Sequence, residues 1–158
     1  MKKTLLALLC CSTILGSCTK TTDTTPTCGP VTTSAPATEV ADLQAYITSK
    51  GITAQADSRG FFYTISQAGS DVHPNACSSV KANYSLHLTN GTEIETNYGV
   101  PFSLSGVIAG WQEGIPLVGE GGSIVLYLPP SLGYGNHAQS NIPANSILIF
   151  HVDLLKVN

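Results

Sequence analysis

Residues 107–150 read VIAGWQEGIPLVGEGGSIVLYLPPSLGYGNHAQSNIPANSILIF, and this stretch decides the architecture. Val107 to Glu113 leaves room for about two helical turns before Gly114 and Pro116, and the chain's single tryptophan, Trp111, falls inside it. Ile124 to Leu128 is an apolar run stopped by Pro129-Pro130. Leu148, Phe150, Val152 and Leu154 then alternate with Ile149, His151 and Asp153. Both read as strands. Gly119-Glu120-Gly121-Gly122 precedes a strand instead of opening a helix and lacks the lysine of a phosphate loop, so it reads as a turn.

Working toward the N-terminus, Val80, Ala82, Tyr84, Leu86 and Leu88 alternate with Lys81, Asn83, Ser85 and His87, giving one apolar and one solvated face. Asn90-Gly91 supplies a hairpin turn. Phe61 to Ser66 reads as a further strand. Val40, Leu43 and Ile47 recur at helical spacing between Glu39 and Lys50, with Gly51 where a helix ends. That helix packs on the domain as a lid or brace, with a dimer contact as the alternative. The expected class is α+β: an antiparallel, strongly twisted sheet wrapped around one short helix, with an N-terminal helix and a disordered tether. The regular helix–strand alternation of a nucleotide-binding parallel sheet is missing.

Lys2 and Lys3 precede an apolar run, Leu5 to Leu15, of about 11 residues, half of what a spanning helix needs. Leu15-Gly16-Ser17-Cys18 resembles a bacterial lipobox, in which the cysteine is lipidated and becomes the first residue. An ordinary signal peptide is the alternative. Thr19 to Thr38 is rich in Thr, Pro, Ser and Ala and cannot bury enough apolar surface to order itself. The expected organisation is a leader at 1–17, a tether at 18–38, the N-terminal helix and leading strand at 39–77, and the main domain at 78–158. Localisation would be the cell envelope, lipid-anchored, with the outer membrane facing the periplasm as the expected site. Of five cysteines, two lie in the leader and Cys18 would carry lipid, which leaves Cys28 and Cys77. An oxidising compartment favours a bridge between them, with two separate thiols as the alternative.

Among 158 residues, 42% are hydrophobic and 11% charged, which suits one packed domain. Without Lys2 and Lys3, five basic residues face ten acidic ones, and Arg59 is the chain's one arginine. No basic stripe exists, which argues against a nucleic-acid partner. His73, His87, His137 and His151 show no ligand spacing, so no metal or cofactor is expected. Ser123 and Ser131 lack the companions of a hydrolase triad.

The V-I-x-G-W-x-E-G helix, the G-G-x-x-x-x-x-x-P-P turn into x-x-x-Y-G, and the closing I-P-x-x-x-x-L-x-F-x-V-x-L-L strand occur in one order between Val107 and Leu155, within a resemblance that covers residues 78–158. Together they resemble the FKBP-type peptidyl-prolyl cis-trans isomerases. The resemblance implies an apolar proline pocket on Tyr84, Phe102, Val107, Ile108, Trp111, Tyr134, Ile142 and Phe150, floored by Trp111. It further implies that the Ile108 N–H holds the substrate's prolyl-side carbonyl and that the Tyr134 hydroxyl is a second donor at the pocket rim. Taken singly, each aromatic could be simple core. Where the family commonly carries Phe-Asp, this chain has Ile94-Glu95, with the carboxylate one methylene further out. His137, in the polar loop Asn136 to Asn141, is the histidine placed nearest the pocket rim.

Such a pocket would accelerate X-Pro isomerisation in exported polypeptides and assist their folding, with no cofactor. The alternative is a weakly catalytic chaperone or adaptor that binds apolar or proline-containing segments. Expected partners are proline-containing clients, the membrane through the N-terminal lipid, and macrolide inhibitors of the FKBP class.

Overall fold

The computed structural model describes Gly29 and residues 31–158. The leader, Cys18 and Cys28 lie outside the described residues. Cys77 is disulfide-bonded, and Cys28, its expected partner, falls among the residues not described. Among the described residues no helix is long and apolar enough to cross a membrane.

Helix α1 spans Ala37–Ser49. Its C-terminus closes as the sequence signals: the Gly51 N–H donates to the Thr48 carbonyl and the Ile52 N–H to that of Ile47, both at 3.1 Å. This is the paired arrangement that satisfies the last turn's carbonyls. The start lies two residues before the expected Glu39. The end of the tether is docked, contrary to the expectation of disorder through residue 38: the Ala35 N–H donates to the Arg59 carbonyl at 2.8 Å, and Ala35 packs against the main core.

Six strands follow: β1 (Gln55–Ala56), β2 (Phe62–Gln67), β3 (Ser79–Leu88), β4 (Glu93–Ser103), β5 (Ser123–Leu128) and β6 (Leu148–Val157). All pairings are antiparallel, in the order β1-β2-β5-β6-β3-β4. Helix α2 (Ala109–Gly114) sits between β4 and β5 in the chain. Because side chains alternate along a strand, the register sorts the core. Leu126 opposes Phe150, and Phe150 opposes Leu86, so these three share the inner face, where they bury with Trp111 and Ile115.

Phe62, Tyr127 and Ile149 face the other way and bury against Leu43 and Ile47 of α1. The sheet is therefore covered on both faces, α2 inside and α1 outside, and α1 is a brace on the outer face. The solvated face expected for β3 and β6 is solvated at Lys81, His151 and Asp153, whereas Ile149 is covered by the helix. The closeness of α2 to the sheet depends on two glycines four residues apart. A Cβ on Gly110 would run into the Leu128 side chain, and one on Gly114 into that of Leu126.

Candidate functional site

Strand β4 determines what reaches the inner face. Leu86 opposes Glu95 and Tyr84 opposes Asn97, but Ala82 opposes Val100 and Val80 opposes Phe102. One extra residue is therefore inserted opposite Asn83. The insertion is a bulge at Tyr98-Gly99: Gly99 has φ +62°, its N–H is accepted by Asn83 Oδ1 at 2.8 Å, and Tyr98 is thrown 78% into solvent. In an unbroken strand, a register that turned Glu95 and Asn97 inward would turn Phe102 outward. The bulge delivers Glu95, Asn97 and Phe102 to the face that carries Tyr84.

Trp111, on the first turn of α2, meets three rings edge-on: Phe102 at 5.1 Å between centroids, Tyr84 at 5.3 Å and Phe150 at 5.4 Å. Edge-to-face pairs at this spacing are favourable beyond their buried area. Above the box opens a cavity of about 320 Å³, lined by Tyr84, Glu95, Phe102, Gly106, Val107, Ile108, Trp111, Tyr134 and Phe150. Its size is at the lower end for small-ligand sites. A second cavity of about 360 Å³, lined in part by Tyr46, Lys50, His87, Tyr127 and His151, lies on the outer face and has neither a tryptophan nor a phenylalanine in its lining.

Eight residues expected from the sequence line the inner cavity: Tyr84, Glu95, Phe102, Val107, Ile108, Trp111, Tyr134 and Phe150. Three do not. Ile142 is buried in the main core and anchors the end of the loop that precedes it, Ile94 packs half-buried against that core, and His137 is exposed. Gly106 and Asn97 were not expected, since a small or amide residue in a polar stretch carries no periodic signal.

The Tyr84 hydroxyl donates to Glu95 Oε1 at 3.0 Å and accepts from Asn97 Nδ2 at 2.9 Å. A phenol has one proton, and here it is committed to Glu95. Tyr134 is presented by a loop pinned on both sides. The Ser131 N–H donates to Glu39 Oε2 of α1 at 2.8 Å, and the Gly135 N–H to the Pro130 carbonyl at 2.8 Å. The Asn145 N–H donates to the Gly135 carbonyl, also at 2.8 Å. Burial, then the Glu95 charge, pushes the Tyr134 hydroxyl above the usual phenol range. Burial does the same for Tyr84, reinforced by its hydrogen bond to Glu95. Both therefore remain O–H donors at neutral pH. Neither the Tyr134 hydroxyl nor the Ile108 N–H is used in a hydrogen bond among the described residues. The cavity thus combines an apolar floor with two free donors at its rim. Gln112 Nε2 donates to the Val107 carbonyl at 2.7 Å and fixes the turn that carries Ile108.

Behind the floor, the Glu113 side chain is 1% exposed, with neither oxygen hydrogen-bonded and Arg59 Nε 3.8 Å from Oε2. Arg59 is committed to a two-point pair with Asp57 at 2.7 and 2.9 Å. Burial pushes Glu113 up to about 7, against the pull of Arg59. A carboxyl with a raised folded pKa is protonated in the native state while the unfolded chain is ionised, so stability falls as pH rises from about 4.5 to 7. That interval corresponds to a loss of about 3 kcal/mol. Glu113→Gln is expected to raise the melting temperature at pH 8 by several degrees and to change it little at pH 5. Thermal melts at the two pH values check this; an equal effect at both would contradict it.

An aromatic cup with hydrogen-bond donors at its rim has the shape and polarity to receive an apolar group flanked by carbonyls, and it is set in an α+β domain. Residues 70–155 match the family model described as FKBP-type peptidyl-prolyl cis-trans isomerase. The chain belongs to that family. It is 38% identical over 118 residues to the FKBP-type peptidyl-prolyl cis-trans isomerase FkpA of Escherichia coli K12, covering 72% of this chain and 43% of that protein. It is 39% identical over 115 residues to a probable FKBP-type isomerase of Haemophilus influenzae, covering 70% and 48%. The chain thus spans a little under half the length of these curated relatives. The crystal structure of FkpA from Escherichia coli superposes with a TM-score of 0.70 at 34% identity, over 77% of this chain and 60% of that one. A peptidyl-prolyl cis-trans isomerase from Pseudomonas syringae shares the fold, with a TM-score of 0.68 at 21% identity, over 80% of this chain and 98% of that one.

Proposed function

We propose that the cup binds a proline ring and accelerates rotation about the X-Pro bond, in polypeptides folding outside the cytoplasm. The observation that carries this is the four-ring aromatic box beneath two uncommitted donors. Amide resonance sets a barrier of about 18–20 kcal/mol, and uncatalysed X-Pro exchange takes tens to hundreds of seconds. Twisting the bond reduces its charge separation, so apolar surroundings favour the twisted amide over the planar one. The Ile108 N–H and Tyr134 O–H hold the flanking carbonyls. Tyr84 serves the wall, because its proton is spent on Glu95. Glu95, although a methylene longer than the aspartate common in the family, makes the bond that organises this wall.

The envelope setting is supported by Lys2, Lys3, the apolar run and Cys18. Acylation at Cys18 with two or more chains would anchor the protein stably. Mass spectrometry of the mature N-terminus checks it, and an unmodified cysteine excludes the anchor. For the activity, the test is the cis-to-trans relaxation of a short X-Pro peptide. Acceleration at micromolar protein, lost in Tyr134→Phe combined with Trp111→Leu, is the expected result; no acceleration by the wild type removes the proposal.

A further inference from the structure

We infer that Glu95 makes the cup selective for prolines flanked by a cationic side chain, lysine or arginine. The inference rests on the proline-pocket reading above and adds a substrate class to it.

Glu95 is the one acidic or basic side chain lining the cavity, and it is exposed, on the edge strand at the cavity's rim. The inward register up to the bulge places it there. Its position is held by a chain of two hydrogen bonds, Asn97 to Tyr84 and Tyr84 to Glu95 Oε1, which leaves Oε2 without a partner among the described residues. No cation neutralises it: the ion pairs among the described residues involve Arg59 and His87, with Asp57, Glu113 and Glu93. Its charge is felt at both Tyr84 and Tyr134, which places it electrostatically over the mouth. A carboxylate fixed at a rim of otherwise neutral residues attracts a cation beside the bound proline and repels an anion there. Because it is solvent-exposed, each effect has the size of a surface ion pair, up to about fivefold. The two effects multiply when a cationic substrate is compared with an anionic one.

The experiment uses short peptides identical except for Lys, Leu or Glu at the position before the proline, and a second series varied at the position after it. At low salt, the kcat/KM ratio of Lys to Glu peptide is expected to be about five to ten in at least one series. At 0.5 M salt it should shrink to about twofold, since screening acts strongly on exposed charges. Glu95→Gln should bring the ratio near one, whereas Glu95→Asp, which keeps the charge, should retain a preference for Lys. A ratio near one in the wild type for both series, or one that survives in Glu95→Gln, overturns the inference. The same peptides are titrated against the fluorescence of Trp111, the sole tryptophan. A Lys preference in binding without acceleration supports the selector and removes the isomerase reading. Acceleration without preference removes the selector alone. Absence of both binding and acceleration removes both.

Discussion

Trp111→Ala is expected to lower the unfolding free energy by about 3–5 kcal/mol and to reduce acceleration of any X-Pro peptide by more than tenfold. The stability figure follows from burial: Trp111 is 4% exposed, so truncation leaves a cavity that the surrounding sheet can only partly close. The functional loss follows from position. Tyr84, Phe102 and Phe150 each pack an edge or face against the indole, so removing it takes away the floor and the support of three walls at once. Urea unfolding gives the first quantity. The peptide assay, run at a temperature where circular dichroism shows the variant folded, gives the second. A folded variant with wild-type kcat/KM would show that the indole is merely core.

Gly119→Ala is expected to cost about 3 kcal/mol, from a position with no side chain to single it out. Residues 68–72 lie directly along 119–120. The Gly119 N–H donates to the Ala68 carbonyl at 2.8 Å, while Ser70 and Glu120 N–H groups donate to Glu120 and Val72 carbonyls at 2.9 Å. A Cβ on Gly119 would fall onto the Ser70 carbonyl, which is backbone held in this ladder and cannot swing aside as a side chain would. For a domain of this size the loss corresponds to a melting temperature lower by about 10 °C. Gly106→Ala, where an added Cβ meets nothing within 4 Å, is the stability control and should melt near the wild type. Equal melting of the two variants would contradict the steric account.

The elements that the sequence displays are those whose burial enforces a period. β3, β5, α1 and α2 appear within about two residues of their expected places, and β6 starts where expected but runs on to Val157. β3, β6 and α1 show a face that must stay apolar over several repeats, β5 an apolar run and α2 the space before Gly114 and Pro116. β4 was not legible as a strand of 11 residues. It is an edge strand, mostly exposed, and two register shifts break its alternation. The pocket's aromatic residues were legible through the family resemblance. The pairing of Glu95 with Tyr84 was not, since it depends on a register that the bulge sets. Asn97 carried no signal, and Glu113, although part of the V-I-x-G-W-x-E-G motif, gave no sign of its burial: a polar residue looks the same in a sequence whether water or a tyrosine satisfies it, and a carboxyl in a helix reads as solvated until the packing around it is known.

The irregularity at Tyr98-Gly99 imposes a parity constraint on how this strand can change length. Removing one residue there would exchange the inward and outward sets on one side of the deletion, trading either Glu95 and Asn97 or Val100 and Phe102 for their neighbours. Removing or adding two leaves both sets in place. Short insertions and deletions that stay within the strand should therefore be tolerated in even steps and rejected in odd ones, so that a larger alteration does less harm than a smaller one.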